Sequence, residues 1–161
     1  MKTAKAILNM LVLSGLLTLT SLAVQAADSK WHTDTKSYRV YLGVVPASVI
    51  NDNPKLVDQD RDLHGGTHQT KASSQHIMIS IFNKNGNKRV LNATAIAKVR
   101  YKKLIGGENT LKPMEKMLTS GTVSYGNYFE LAKKGDYVIE VDIYESNKSG
   151  FEKAAFNFKT Y

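Results

Sequence analysis

The chain has no cysteine among its 161 residues, which removes thiol nucleophiles, disulfides and the thiolate ligands of most structural zinc sites together. It also lacks a Gly-x-Ser-x-Gly elbow, a His-Glu-x-x-His pair and a phosphate-cradling glycine loop, so the sequence points to a binding or carrier protein and not to an enzyme. The formal charge is +8, yet the longest basic runs are the pairs Lys102-Lys103 and Lys133-Lys134. No basic stripe follows, and nucleic acid is not an expected partner. Asp58, Asp60 and Asp62 alternate as in a calcium loop, but the central glycine and closing glutamate are missing, and a solvated acidic turn is the expectation.

The only long apolar run is Ala6 to Leu19, which is shorter than the ~20 residues of a spanning helix. Lys2 and Lys5 precede it, and Val24-Gln25-Ala26 follows with small residues at the cleavage positions. These features define a secretory signal peptide over 1–26, cut after Ala26, with no membrane anchor left after processing. The product is expected in a periplasm or outside the cell. Residues 27–161 are the length of one domain, and without disulfides that domain must be held by its apolar core alone.

Apolar residues in this segment recur with period two, the mark of half-buried strands. Tyr38 to Val45, His76 to Phe82, Val90 to Tyr101, Gly121 to Tyr125 and Tyr128 to Leu131 (two short strands or one bent strand around Gly126), Tyr137 to Ile143 and a last segment with Phe156 and Phe158 carry the pattern. Asn85-Gly86 marks a hairpin turn. The expected fold is an all-β, immunoglobulin/cupredoxin-like β-sandwich of about seven strands with no helix. Asn51 to Ser74 and Leu104 to Ser120 are expected as long loops, and loops of that length are usually functional or disordered.

What is present is imidazole and thioether. All four histidines fall between His32 and His76, and methionines follow at Met78, Met114 and Met117. Such donors suit copper. His76 and Met78, two apart on a strand, emerge from one face about 6 to 7 Å apart while Ile77, Ile79 and Ile81 face the core. His64 and His68 have an HxxxH spacing, but Gly65 and Gly66 between them disfavour a helix, so their convergence depends on the loop's shape. Met114 and Met117 are either thioether ligands beside the stiff Pro113 or plugs for the open end of the core. His32 is the weakest donor, because neighbouring Trp31 reads as an anchor of the first segment. The expected site is therefore His76, Met78 and Met114, completed by Met117, His64 or His68. The alternative is a metal-free module that grips another envelope protein.

Pro113-Met114, the segment from Gly121 to Asn127, the strand opening at Gly135-Asp136-Tyr137 and the ending from Ser149-Gly150-Phe151 to Phe158 resemble the P19/Tp34-type periplasmic iron-transport proteins. Small secreted domains of the YtkA type share part of the pattern. The resemblance implies an immunoglobulin-like, often homodimeric protein that binds copper and assists iron uptake beside a membrane permease. It implies His76 and Met114 as ligands. Met78 stands where the family has a glutamate, and Ser124 where it has a histidine before Tyr-Gly, so a site here must be softer than the family's or be completed by His64 or His68.

Overall fold

Alternating side chains do most of the work of this fold, as the sequence implies, and the strands they form are all antiparallel. The computed structural model describes residues 31–52, 71, 73–102, 109–119 and 121–161. The expected signal segment, His64, His68 and the Asp58 to Asp62 turn lie outside the described residues. The strands are β1 (His32–Asp34), β2 (Tyr38–Pro46), β3 (Ser74–Asn83), β4 (Thr94–Tyr101), β5 (Thr110–Thr119), β6 (Thr122–Glu130), β7 (Gly135–Tyr144) and β8 (Glu152–Thr160). Their spatial order is β1-β2-β3-β6-β5-β4-β7-β8. The first sheet is β1-β2-β3-β6 and the second β4-β7-β8, with β5 between them, and the core they enclose holds Val40, Ile77, Ile79 and Ile81 from the first and Ala97, Ile139 and Val141 from the second.

The all-β sandwich is observed, and of the two readings open about Gly126 one continuous strand is found: β6 runs through it from Thr122 to Glu130. Two expectations need correction. The loop foreseen at Leu104 to Ser120 contains β5, which together with β1 brings the strands among the described residues to eight. A short helix, α1 (Ala47–Asn51), follows Pro46, and it packs Ala47 and Ile50 on Tyr128.

β5 was hidden by its inward positions. Thr110, Lys112 and Lys116 take the core-facing register, so the strand shows no apolar alternation. The lysines are tolerated there because β5 changes neighbours in mid-course. Thr110 to Met114 pair with β4, whereas Glu115 to Thr119 pair with β6. The strand therefore belongs to both sheets. Pro113, which has no amide to give a ladder, sits in the half paired on one side only. Where β6 loses its β5 neighbour, side chains replace the ladder. Lys112 Nζ donates to the Tyr128 carbonyl at 2.7 Å, the Asn127 amide donates to the Pro113 carbonyl at 2.8 Å, and Asn127 Oδ1 accepts from the Tyr128 amide at 2.7 Å.

At the other end the sheet curls until β8 approaches β1, which makes the sandwich a nearly closed barrel. The seam is latched by polar groups. The Ser37 amide donates to Glu152 at 2.8 Å, the buried Tyr38 hydroxyl donates to Glu145 at 2.5 Å, and Lys148 Nζ donates to the Tyr38 oxygen at 2.6 Å. Burial works against ionisation of Glu145, but hydrogen bonds from Tyr38 and Lys148 outweigh it and hold the carboxyl below its ordinary value. Burial likewise opposes the charge on Glu152, and hydrogen bonds from Ser37 and Thr35 outweigh it. A carboxylate with a depressed folded pKa stabilises the fold above the ordinary glutamate value, and that stabilisation disappears as pH falls through the depressed value. The latch should accordingly weaken below about pH 4.5. Thermal melts from pH 6 down to pH 3 should show Glu145→Gln flattening this acid-side loss; an unchanged acid slope in that variant would exclude the latch as its source.

Candidate metal site on the outer face of the first sheet

Residues directly opposite one another in an antiparallel pair point to the same face. Across the four strands β2, β3, β6 and β5, the registers align Gly43, Met78, Gly126 and Glu115 in one row. The row to one side pairs His76 with Tyr128, and to the other Met117 faces Ser124. Since Ile77 and Ile79 fill the core, this grid lies on the outer face of the sheet. His76 and Met78 therefore share a face, as their spacing implies.

Gly126 is the centre of the grid, and the absence of its side chain defines the site. A Cβ there would lie 2.9 Å from His76 Nε2, 3.1 Å from Met117 Sδ and 2.6 Å from the Met117 methyl. An imidazole nitrogen and a thioether sulfur from different strands thus face the same small space. His76 and Met117 are each only 4% exposed. The imidazole is fixed by stacking on Tyr128, with centroids 4.6 Å apart and planes inclined by 23°. Tyr128 is in turn covered by α1 through Ala47 and Ile50.

Met78 is the adjustable member. Its methyl lies 3.5 Å from where a Cβ on Gly43 would be, so the side chain leans away from Gly126 toward β2. Glycines on both sides leave the unbranched thioether room to swing. Beside it an open groove of about 490 Å³, lined by Tyr41, Gly43, Met78, Ser80, Arg89 and Ser124, gives a route from solvent. Arg89 closes the gap where β3 and β6 part, donating to Ser80 Oγ at 2.9 Å and to the Val123 carbonyl at 2.6 Å.

Met114 does not join this group. It faces the core, 5% exposed, opposite Ala95 on β4. Three residues along a strand reverse the side, so Met114 and Met117 point to opposite faces, with Met114 the core plug and Met117 beside His76. His32 packs on Tyr41 at the edge of the sheet, with rings 5.6 Å apart. Among the described residues, no group of three or more histidine, aspartate and glutamate side chains is placed to hold a metal. Gly126 was missed as a site residue, although a glycine inside a strand is itself a sign of close approach by another group.

No family model and no curated protein matches the chain. Solved structures do match in fold. A DUF4426 family protein from Pseudomonas aeruginosa PAO1 superposes with a TM-score of 0.58 at 12% identity, over 81% of this chain and 93% of that one. A copper-bound variant of FetP from uropathogenic Escherichia coli strain F11 gives 0.57 at 12% identity, over 80% and 92%. FetP as isolated, after recombinant expression in the periplasm of Escherichia coli, gives 0.56 at 13% identity, over 80% and 91%. The chain therefore shares its fold with FetP and with the DUF4426 protein, and the resemblance to P19-type proteins holds at the level of architecture.

Proposed function

We propose that this protein is a periplasmic copper carrier or accessory in envelope metal traffic, not an enzyme. The ion would be held on the outer face of the first sheet, over Gly126. His76 Nε2 is the nitrogen donor, Met117 Sδ the fixed thioether, and Met78 the thioether that swings in from the groove to close the site. The observation that carries the reading is the approach of His76 and Met117, from β3 and β5, to the same point above a glycine. The fold shared with a protein crystallised with copper supports it. A carrier needs a site that opens, and Met78 at the mouth of the groove supplies a donor that can leave first. Its further partners, a membrane permease or another envelope protein, would take the ion from that side. A homodimer would leave this face accessible if it formed through the second sheet.

Titration calorimetry with copper on wild type and His76→Ala tests the assignment. Loss of this buried imidazole should weaken binding by about a hundredfold, the scale seen when metal-site interactions are removed. Equal affinity in the two proteins would take His76 out of the site.

A further inference from the structure

We infer that the groove lined by Arg89 is a binding site in its own right, for a small hydroxylated monocarboxylate whose carboxylate pairs with that guanidinium. β3 pairs with β6 from Ser74 to Ile79, and the two strands part beyond it. Arg89 lies where they separate, bonded to Ser80 on one and Val123 on the other. Its guanidinium stacks over the Phe82 ring at 4.5 Å, and Tyr41 meets the same ring edge-on at 5.6 Å. The plane and position of the charge are therefore set before any ligand arrives. Among the described residues its hydrogen bonds, to Ser80 Oγ and the Val123 carbonyl, both leave from Nη1, and both acceptors are neutral. A guanidinium keeps its charge at any pH the fold survives, and a part-buried charge with neutral partners favours an anion on its remaining edge.

The lining selects among anions. Nε and Nη2 form the remaining edge of the guanidinium, a flat pair of donors that matches a carboxylate. Arg89 is the cation among the described residues that line the groove, so one negative charge is balanced. A phosphate carries nearly two and would be left partly unneutralised. The walls include the hydroxyl residues Tyr41, Ser80, Thr122 and Ser124, which suit hydroxyl groups along a ligand's chain. Ser80 accepts from Arg89 and so keeps its own proton to donate. The volume of about 490 Å³ is that of a small-molecule pocket. The groove reaches the proposed metal site at Met78, yet a carboxylate would bind at Arg89 whether or not an ion sits over Gly126.

Gluconate is the probe, with sorbitol as the uncharged counterpart of the same hydroxyl chain and inorganic phosphate as the competing oxyanion. Each is titrated into the purified chain with no metal added, followed by NMR of the backbone amides and of the Arg89 Nε–H. Gluconate should saturate with a Kd of about 1 mM or tighter, shifting Tyr41, Ser80, Arg89 and Ser124, while sorbitol and phosphate bind more weakly by roughly tenfold or more. Arg89→Gln should lose roughly tenfold or more in gluconate affinity, the scale of one charge-assisted pair. Because Arg89 also ties β3 to β6, circular dichroism checks the fold of that variant. Ser124→Leu, which fills the groove and removes neither acceptor of Arg89, should lose gluconate binding to a similar degree. Wild-type affinity in either folded variant would overturn the assignment. So would sorbitol binding as tightly as gluconate, phosphate binding more tightly, or gluconate failing to saturate or shifting residues away from the groove. None of these results bears on copper, which is read separately by calorimetry.

Discussion

Gly126→Ala is expected to cost about a hundredfold in copper affinity, comparable to loss of a ligand, while the protein still folds. The new methyl would occupy the space that His76 Nε2 and Met117 Sδ both face, at 2.9 and 3.1 Å. The Met117 methyl, at 2.6 Å, must move, and the flexible thioether can do so. The imidazole is held by its stack on Tyr128 and yields less. Gly126 is not among the glycines at positive φ, which are Gly86, Gly121, Gly135 and Gly150, so its backbone accepts alanine. Removing glycine from a strand interior returns roughly 0.5 to 1 kcal/mol, offsetting the displacement of Met117. The stacked imidazole must also give way, so thermal stability should fall by about 1 to 3 kcal/mol, as for an overpacked interior, while binding collapses. Wild-type affinity in a folded Gly126→Ala protein would place the ion elsewhere.

Asn127→Ala should show a large loss of stability. Asn127 serves the place where β5 leaves β6: its amide reaches the Pro113 carbonyl and its oxygen takes the Tyr128 amide proton. The Tyr128 amide is buried, and its loss of that acceptor costs about 1 to 3 kcal/mol, with the bond to Pro113 adding about 1 more. A total of about 3 kcal/mol corresponds to ~10 °C in melting temperature for a domain of this size. Chemical denaturation of the variant measures it directly. A change below about 0.5 kcal/mol, the range of ordinary surface substitutions, would show that water replaces the side chain and that the β5 crossover does not depend on it.

The strands that were legible in the sequence are those with one face in the core. Ile77, Ile79 and Ile81 on β3, and Tyr137, Ile139, Val141 and Ile143 on β7, alternate cleanly because each second residue is buried. β5 was not legible because it serves as a seam. Lysines stand at its inward positions, their ammonium groups reaching the Tyr128 carbonyl and Asn92 instead of a core. That misreading also grouped Met114 with Met117 as members of one loop, when strand geometry sends them to opposite faces. The pairing of His76 with Met78 on one face followed from spacing alone. The approach of Met117 to His76 did not, because it depends on β5 lying next to β6, a neighbour relation between segments that no local pattern encodes.

The shared strand has a mechanical consequence. The first half of β5 is stitched into one sheet and the second half, with Met117, into the other, so any slide of the sheets past each other pulls lengthwise on that strand. His76, rooted in β3, would not travel with it. Pressure on one wall of the barrel would thus become a wider gap between Met117 and His76 at the other.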